Sequence, residues 1–205
     1  MNYGFALDVN DENQSCLWFT LPPSDPMVQM KLRLLASGKV HVTAGQPRRF
    51  QLPVEYTADS TRECFSFLRF VHAKDSELLL LTSNEKFDVK KIDPLSLRNE
   101  REVLADLALA AETSMSQFEC SLEEDERLLS SNDLSSNVRN AILMRRGEKQ
   151  VLTFYIGLAS AVQPILDMPK KEFKKFIQRR ATGGKGIYDN YIDSVLIPLI
   201  RLEYQ

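Results

Sequence analysis

Two histidines and three widely spaced cysteines (Cys16, Cys64, Cys120) in 205 residues are too few for a zinc spacing, and an odd cysteine count cannot close a disulfide framework. A reducing compartment is the simpler setting. Long apolar runs are missing too, since Leu78 to Leu81 and Val195 to Ile200 fall far short of the roughly 20 residues that cross a bilayer. The start shows neither the charged nor the apolar region of a secretory signal. No sign of charge dominates: 26 Lys and Arg face 28 Asp and Glu, a net charge of -2, so no global field favours nucleic acid. His41 and His72 have no Ser, Cys or carboxylate partner that sequence can place, which leaves a hydrolytic triad unsupported. What is present is a chain 43% hydrophobic and 26% charged, apolar enough to fold around a core of one ordinary domain or a domain plus a fragment.

Asn2 to Leu7 reads as a strand already in progress, and the expectation is that the sequence begins inside a larger protein. Residues 1 to 26 carry Asp8, Asp11, Glu12 and Asp25 without a Lys or Arg, and combine a strand over Cys16 to Leu21 with the breakers Pro22-Pro23 and Asp25-Pro26. They read as the end of one unit and a linker. Met27 to Ala36 has helical spacing and stops at Ser37-Gly38. Residues 39 to 56 alternate loosely around Gly45-Gln46-Pro47 and suit extended segments with a turn.

From residue 60 the helical period dominates. Cys64, Phe67, Leu68 and Val71 share a face, with Cys64 read as packing rather than as a nucleophile. Asp93 with Pro94 predicts a helix start, the apolar pattern then running through Leu97, Val103, Leu104 and Leu107 to Phe118. Ser121-Leu-Glu-Glu has the spacing of a capping box, and a further helix is expected from Ser135 or Ser136 toward Pro164. Lys170 to Arg180 and Tyr188 to Glu203 complete a mainly α chain, separated by Gly183-Gly184-Lys185-Gly186. That glycine segment lacks the phosphate-loop spacing and reads as a connector.

Four segments then carry a resemblance: Leu95-Ser-Leu-Arg-Asn-Glu100, Ser121-Leu-Glu-Glu-Asp-Glu-Arg-Leu-Leu129, Asn137-Val-Arg-Asn-Ala-Ile142 and Arg146-Gly-Glu-Lys-Gln-Val-Leu152. Their order and spacing resemble the substrate-binding domain of the Rubisco large-subunit lysine methyltransferase family, over roughly residues 30 to 165. In that family the helical domain follows a SET domain whose final motif contains Tyr-Gly-Phe, and Tyr3-Gly4-Phe5 stands at the corresponding junction. The resemblance implies residues 1–26 as the tail of a SET domain and residues 27–205 as a multi-helical substrate-binding domain. It implies a parent enzyme that transfers methyl groups from S-adenosylmethionine to a protein lysine, with most of the catalytic machinery outside this chain and no cofactor expected for the chain alone. Tyr3 would orient the lysine amine and Phe5 would wall its channel. An aromatic channel desolvates the amine, lowering its pKa, and ring faces tolerate a methylated cation. Ordinary strand core is the competing reading for both rings.

The remaining charges have structural readings beside functional ones. Glu123 to Glu126 fit the first turn of a helix by capping and dipole alone. Arg145, Arg146 and Lys149 are either a solvated helix face or a dock for the protein substrate. Lys170 to Lys185 holds seven cations against Glu172, with Phe173, Phe176 and Ile177 between them at helical steps, which favours an amphipathic helix packed by its apolar side over nucleic-acid contact. The partner implied is a protein substrate, with Rubisco large subunit and fructose-bisphosphate aldolase as candidates, in the chloroplast stroma; the cytoplasm or nucleus is the alternative. A non-enzymatic helical adaptor and a plastid nucleic-acid-associated protein are the other classes left open.

Overall fold

The computed structural model describes residues 13–82, 87–131, 133–180 and 185–204. Tyr3, Phe5, Gly183 and Gly184 lie outside the described residues. Strand β1 (Gln14–Phe19) pairs antiparallel with β2 (Arg48–Pro53), Leu17 standing opposite Phe50 and Ser15 opposite Leu52. Alternation turns Leu17, Phe19, Phe50 and Leu52 inward, while Trp18 and Arg49 face out. Helix α1 (Val28–Ser37) lies between the strands in sequence, and Gly45 supplies the positive φ of 80° needed to turn back into β2. The extended segment expected over 39 to 56 is thus partner to the strand near the start, and Leu17, Phe19 and Leu21 enter the same core as the helices.

Helices α2 (Arg62–Val71) and α3 (Asp75–Thr82) follow. Every residue of α2 from Cys64 to Val71 is buried, beyond the single face its periodicity suggests, and α3 buries Leu78 while Leu79 and Leu80 face outward. Helix α4 (Leu97–Met115) begins later than Asp93-Pro94 predicts. Ser96, in extended conformation, is its cap and accepts from the Asn99 amide, because Ile92 is held by long-range contacts: its amide donates to Ser66 Oγ at 3.0 Å and its carbonyl accepts from Arg69 at 3.0 Å.

Helix α5 (Leu122–Leu129) opens on the expected capping box, with Ser121 and Glu124 exchanging side-chain and backbone bonds. Helix α6 (Ser136–Leu166) starts at the Ser135 cap and runs 31 residues, with Pro164 in its last turn. It packs along α4 and is the axis of the bundle. Helix α7 (Lys170–Arg180) buries Phe173 and half-buries Phe176 and Ile177, leaving Lys171, Lys174 and Lys175 in water. The last helical run is interrupted: α8 (Asp189–Tyr191) passes through a wider turn over Ile192–Leu196 into α9 (Ile197–Glu203). There the Ile197 amide reaches Ile192, five residues back, and Pro198 follows with no N–H to give. Among the described residues no helix is long and apolar enough to cross a membrane.

Candidate functional site

The corner between α5 and α6 is built around one carboxylate. Asp125 falls in the first turn of α5 and its side chain is wholly buried, which would be prohibitive without partners. Lys149 supplies one, its ammonium donating to Asp125 Oδ2 at 2.6 Å and to the carbonyls of Cys120 and Ser121 at 2.5 and 3.1 Å. All three ammonium protons are used. Arg145 supplies the other, with Nε 2.9 Å from Oδ1 and Nη2 on the same oxygen. Burial opposes ionisation of Asp125, yet the hydrogen bonds and charges of Arg145 and Lys149 outweigh it and hold the carboxyl below its ordinary value. The Phe118 ring sits 5.1 Å from the Lys149 nitrogen, and Leu129, Ile142 and Leu143 close a small apolar cluster beside the pair.

A second charged hub ties α2, α4 and α8. Arg69 grips Glu100 with two bonds of 3.0 and 2.8 Å, and the Tyr191 hydroxyl donates to the same carboxylate at 2.5 Å. Asn99, beside it, donates to the Arg69 carbonyl at 3.0 Å. Burial alone would lower the Arg69 pKa; the Glu100 charge and hydrogen bonds reverse this and raise it. Tyr191 is pushed well up, first by burial and then by Glu100.

The segments that carry the resemblance therefore supply buried polar hubs: Asn99 and Glu100 in one, Asp125 and Lys149 in the other. Of the three candidate docking residues, Lys149 has no surface to offer, because it is spent inside the corner. Arg145 keeps 32% of its side chain exposed while holding Asp125, and Arg146 is half-buried. Lys149 lies seven residues after Ile142 and three before Leu152, on the apolar stripe of α6, and Arg145, one turn earlier, shares that stripe, so both reach the buried Asp125. Glu100 lies three and four residues before Val103 and Leu104 on the stripe of α4, and that phase could have found it.

His72 does acquire a partner, its Nε2 standing 3.1 Å from Asp106 Oδ2. The thiol of nearby Cys64 is buried and its pKa is pushed up by that burial and then by Asp106, so the pair activates no nucleophile there. Among the described residues no group of three or more His, Cys, Asp or Glu is placed to hold a metal ion. The clefts are open and charged. One of about 630 Å³ is lined by Lys39, His41, Arg48, Arg49 and Lys90 with no carboxylate, and one of about 410 Å³ lies between Asp25, Lys31, His72, Arg98 and Glu102.

A family model described as Rubisco LSMT substrate-binding matches residues 22–152, more than half of the chain. The chain belongs to the Rubisco LSMT substrate-binding family. Both buried hubs draw on that matched segment, with Tyr191 joining from beyond it. Among curated relatives, the [fructose-bisphosphate aldolase]-lysine N-methyltransferase, chloroplastic, of Arabidopsis thaliana is 29% identical over 154 residues, covering 74% of this chain and 31% of that protein. The actin-histidine N-methyltransferase of Homo sapiens is 23% identical over 210 residues, covering 96% of this chain and 33% of that protein. The chain thus spans about a third of the length of the curated relatives it matches. Of solved structures, one of Rubisco LSMT bound to AdoMet shares 23% identity with a TM-score of 0.59, over 77% of this chain and 36% of that one. At that identity the likeness is one of fold, and it places the mainly α architecture within the LSMT substrate-binding type.

Proposed function

We propose that this chain is the protein-recognition part of a SET-domain protein N-methyltransferase, holding a substrate protein while the SET domain brings S-adenosylmethionine to it. The match of residues 22–152 to the substrate-binding family carries this reading. In it, residues 1–26 close the SET domain and Tyr3 and Phe5 line the lysine channel, while methyl transfer itself belongs to the parent protein.

The more cationic of the two clefts does not fit the cofactor. S-adenosylmethionine is net cationic, through its sulfonium and ammonium, and the cleft bounded by Lys39, Arg48, Arg49 and Lys90 would repel it. No step of the transfer is therefore assigned to these residues. Substrate docking is assigned to α6 around the partly exposed Arg145 and Arg146, with the exposed Met144 next to them in the chain. Lys149 serves there as a positioning residue: it fixes Asp125, and Asp125 holds the guanidinium of the partly exposed Arg145.

The chloroplastic aldolase-directed relative supports a lysine acceptor, a plastid setting and aldolase as first candidate, with Rubisco large subunit next. A histidine acceptor is the second reading, because the actin-directed relatives align over 96% of this chain against 74% for the lysine enzyme.

The test compares this chain with a longer form carrying a SET domain on its N-terminal side, by calorimetry with S-adenosylmethionine and by methyl transfer to aldolase, Rubisco large subunit and actin. The longer form alone is expected to bind cofactor and to methylate. Arg145→Ala with Arg146→Ala in that form should raise KM about tenfold and leave kcat near its original value. If neither form binds cofactor, the methyltransferase reading falls and the helical adaptor replaces it.

A further inference from the structure

The segment beyond residue 152 carries a surface that the charge hubs do not use. Along α7, Lys170, Phe173, Lys174, Ile177 and Gln178 recur at steps of three and four and so share one face, and that face meets Arg201 and Tyr204 at the end of α9. Between them runs an open cleft of about 470 Å³. Its floor is apolar, with the Phe173 and Tyr204 rings 6.1 Å apart and the half-buried Ile177 beside them. Its rim is cationic. Lys170 donates to the Tyr204 carbonyl, but Lys174 and Arg201 are exposed and have no carboxylate partner among the described residues, and no acid lines the cleft.

We propose that the cleft between α7 and α9 is a docking groove for an acidic amphipathic helix of another protein. An apolar floor flanked by cations is complementary to a helix with an apolar stripe bordered by Asp or Glu, the arrangement of helix-in-groove recognition. The eleven residues of α7 extend about 16 Å, enough for three turns of such a partner. Neutralising Lys174 and Arg201 steers the approach, and burying apolar side chains against the half-buried Ile177 and Tyr204 holds the complex. A phosphate backbone is the poorer fit, because it offers nothing to the floor. The basic run is also less free than its sequence implies: Arg180 is committed to Asp189 and Asp193 at 2.7 and 2.8 Å. This inference is independent of methyl transfer.

The test is fluorescence anisotropy with a labelled helix-forming peptide of about 14 residues, about 21 Å long, carrying Leu at positions i, i+3, i+4 and i+7 and Glu on both flanks. A scrambled isomer of equal composition is the control. The patterned peptide is expected to bind saturably and the scrambled one about tenfold more weakly. Lys174→Glu with Arg201→Glu should weaken the patterned peptide by about tenfold, and Ile177→Ser should weaken it without changing the scrambled one. All three positions are exposed or half-buried, and circular dichroism checks that the variants keep their helix content. Equal binding of the two peptides, no binding of either, or indifference to the substitutions overturns the proposal. So does tighter binding of a short DNA duplex with a steep log-linear loss in salt, which assigns the surface to phosphate instead.

Discussion

The Lys149 ammonium lies 2.6 Å from the Asp125 carboxylate with both side chains fully withdrawn from water. A buried pair is costly to assemble and more costly to break on one side, because the survivor keeps its charge without a counterion. The two halves are unequal here. Asp125→Asn strands Lys149 against two carbonyls and should cost about 3–5 kcal/mol in urea unfolding. Lys149→Met leaves Asp125 still gripped by Arg145 and should cost less. A reversed order would mean that Arg145 contributes little to holding the carboxylate.

The same carboxylate makes stability depend on acid. Its folded pKa is held below the unfolded value, so the stabilisation is fully present above about pH 4 and is lost as pH falls through the folded value. The stability difference between the native chain and Asp125→Asn should therefore be largest at neutral pH and shrink below about pH 4. Urea midpoints taken from pH 6 down to pH 3 check it, and a constant difference would show that Asp125 titrates normally.

Two buried tyrosines should respond in opposite directions to loss of a hydroxyl. Tyr191 donates to Glu100 at 2.5 Å, and Tyr191→Phe should cost about 1–3 kcal/mol, in the range of a hydrogen bond to a charged group. The Tyr155 hydroxyl is buried without a hydrogen-bond partner among the described residues. Tyr155→Phe relieves that desolvation and should leave stability unchanged or raise it by about 1 kcal/mol. Thermal unfolding of the two variants side by side decides the matter.

Gly157 is required by contact rather than by backbone angle. A Cβ there would sit 2.0 Å from the Tyr188 hydroxyl oxygen, and the Tyr188 ring is backed by Phe154 at 5.3 Å. Gly157→Ala should destabilise by about 1–3 kcal/mol through overpacking. Made together with Tyr188→Phe, which removes the clashing oxygen, it should cost clearly less than the sum of the single changes. Additivity would mean that the ring moves aside freely.

Most helices were legible because their ends are written locally. Ser121 with Glu124, Ser135, and the stop at Gly38 each act within one turn, and the structure uses them as read. The start of α4 was not, because Asp93-Pro94 is overridden by contacts from Ser66 and Arg69, about 25 residues away in the chain. The wider turn before Pro198 escaped for a related reason, since the missing N–H is visible in sequence but the way the chain absorbs it is not. Arg145, Arg146 and Lys149 looked alike as a basic face, and phase does not single out Lys149, because Arg145 stands three residues after Ile142 and seven before Leu152 on the same stripe. The partners that make Lys149 tolerable inside, Asp125 and the Cys120 and Ser121 carbonyls, come from another helix and the loop before it, and no local pattern names them.

The wider turn over Ile192–Leu196 also sets the angular phase of everything after it. The wider turn absorbs one residue, and one residue corresponds to about 100° around a regular helix, so tightening this turn to a regular one at unchanged length would swing Arg201 and Tyr204 by about that angle. Tyr204 would leave Phe173, and its hydroxyl would leave the Met168 carbonyl that it now meets at 2.5 Å. The irregular turn thus acts as a gear, and the groove beside α7 exists only at its present setting.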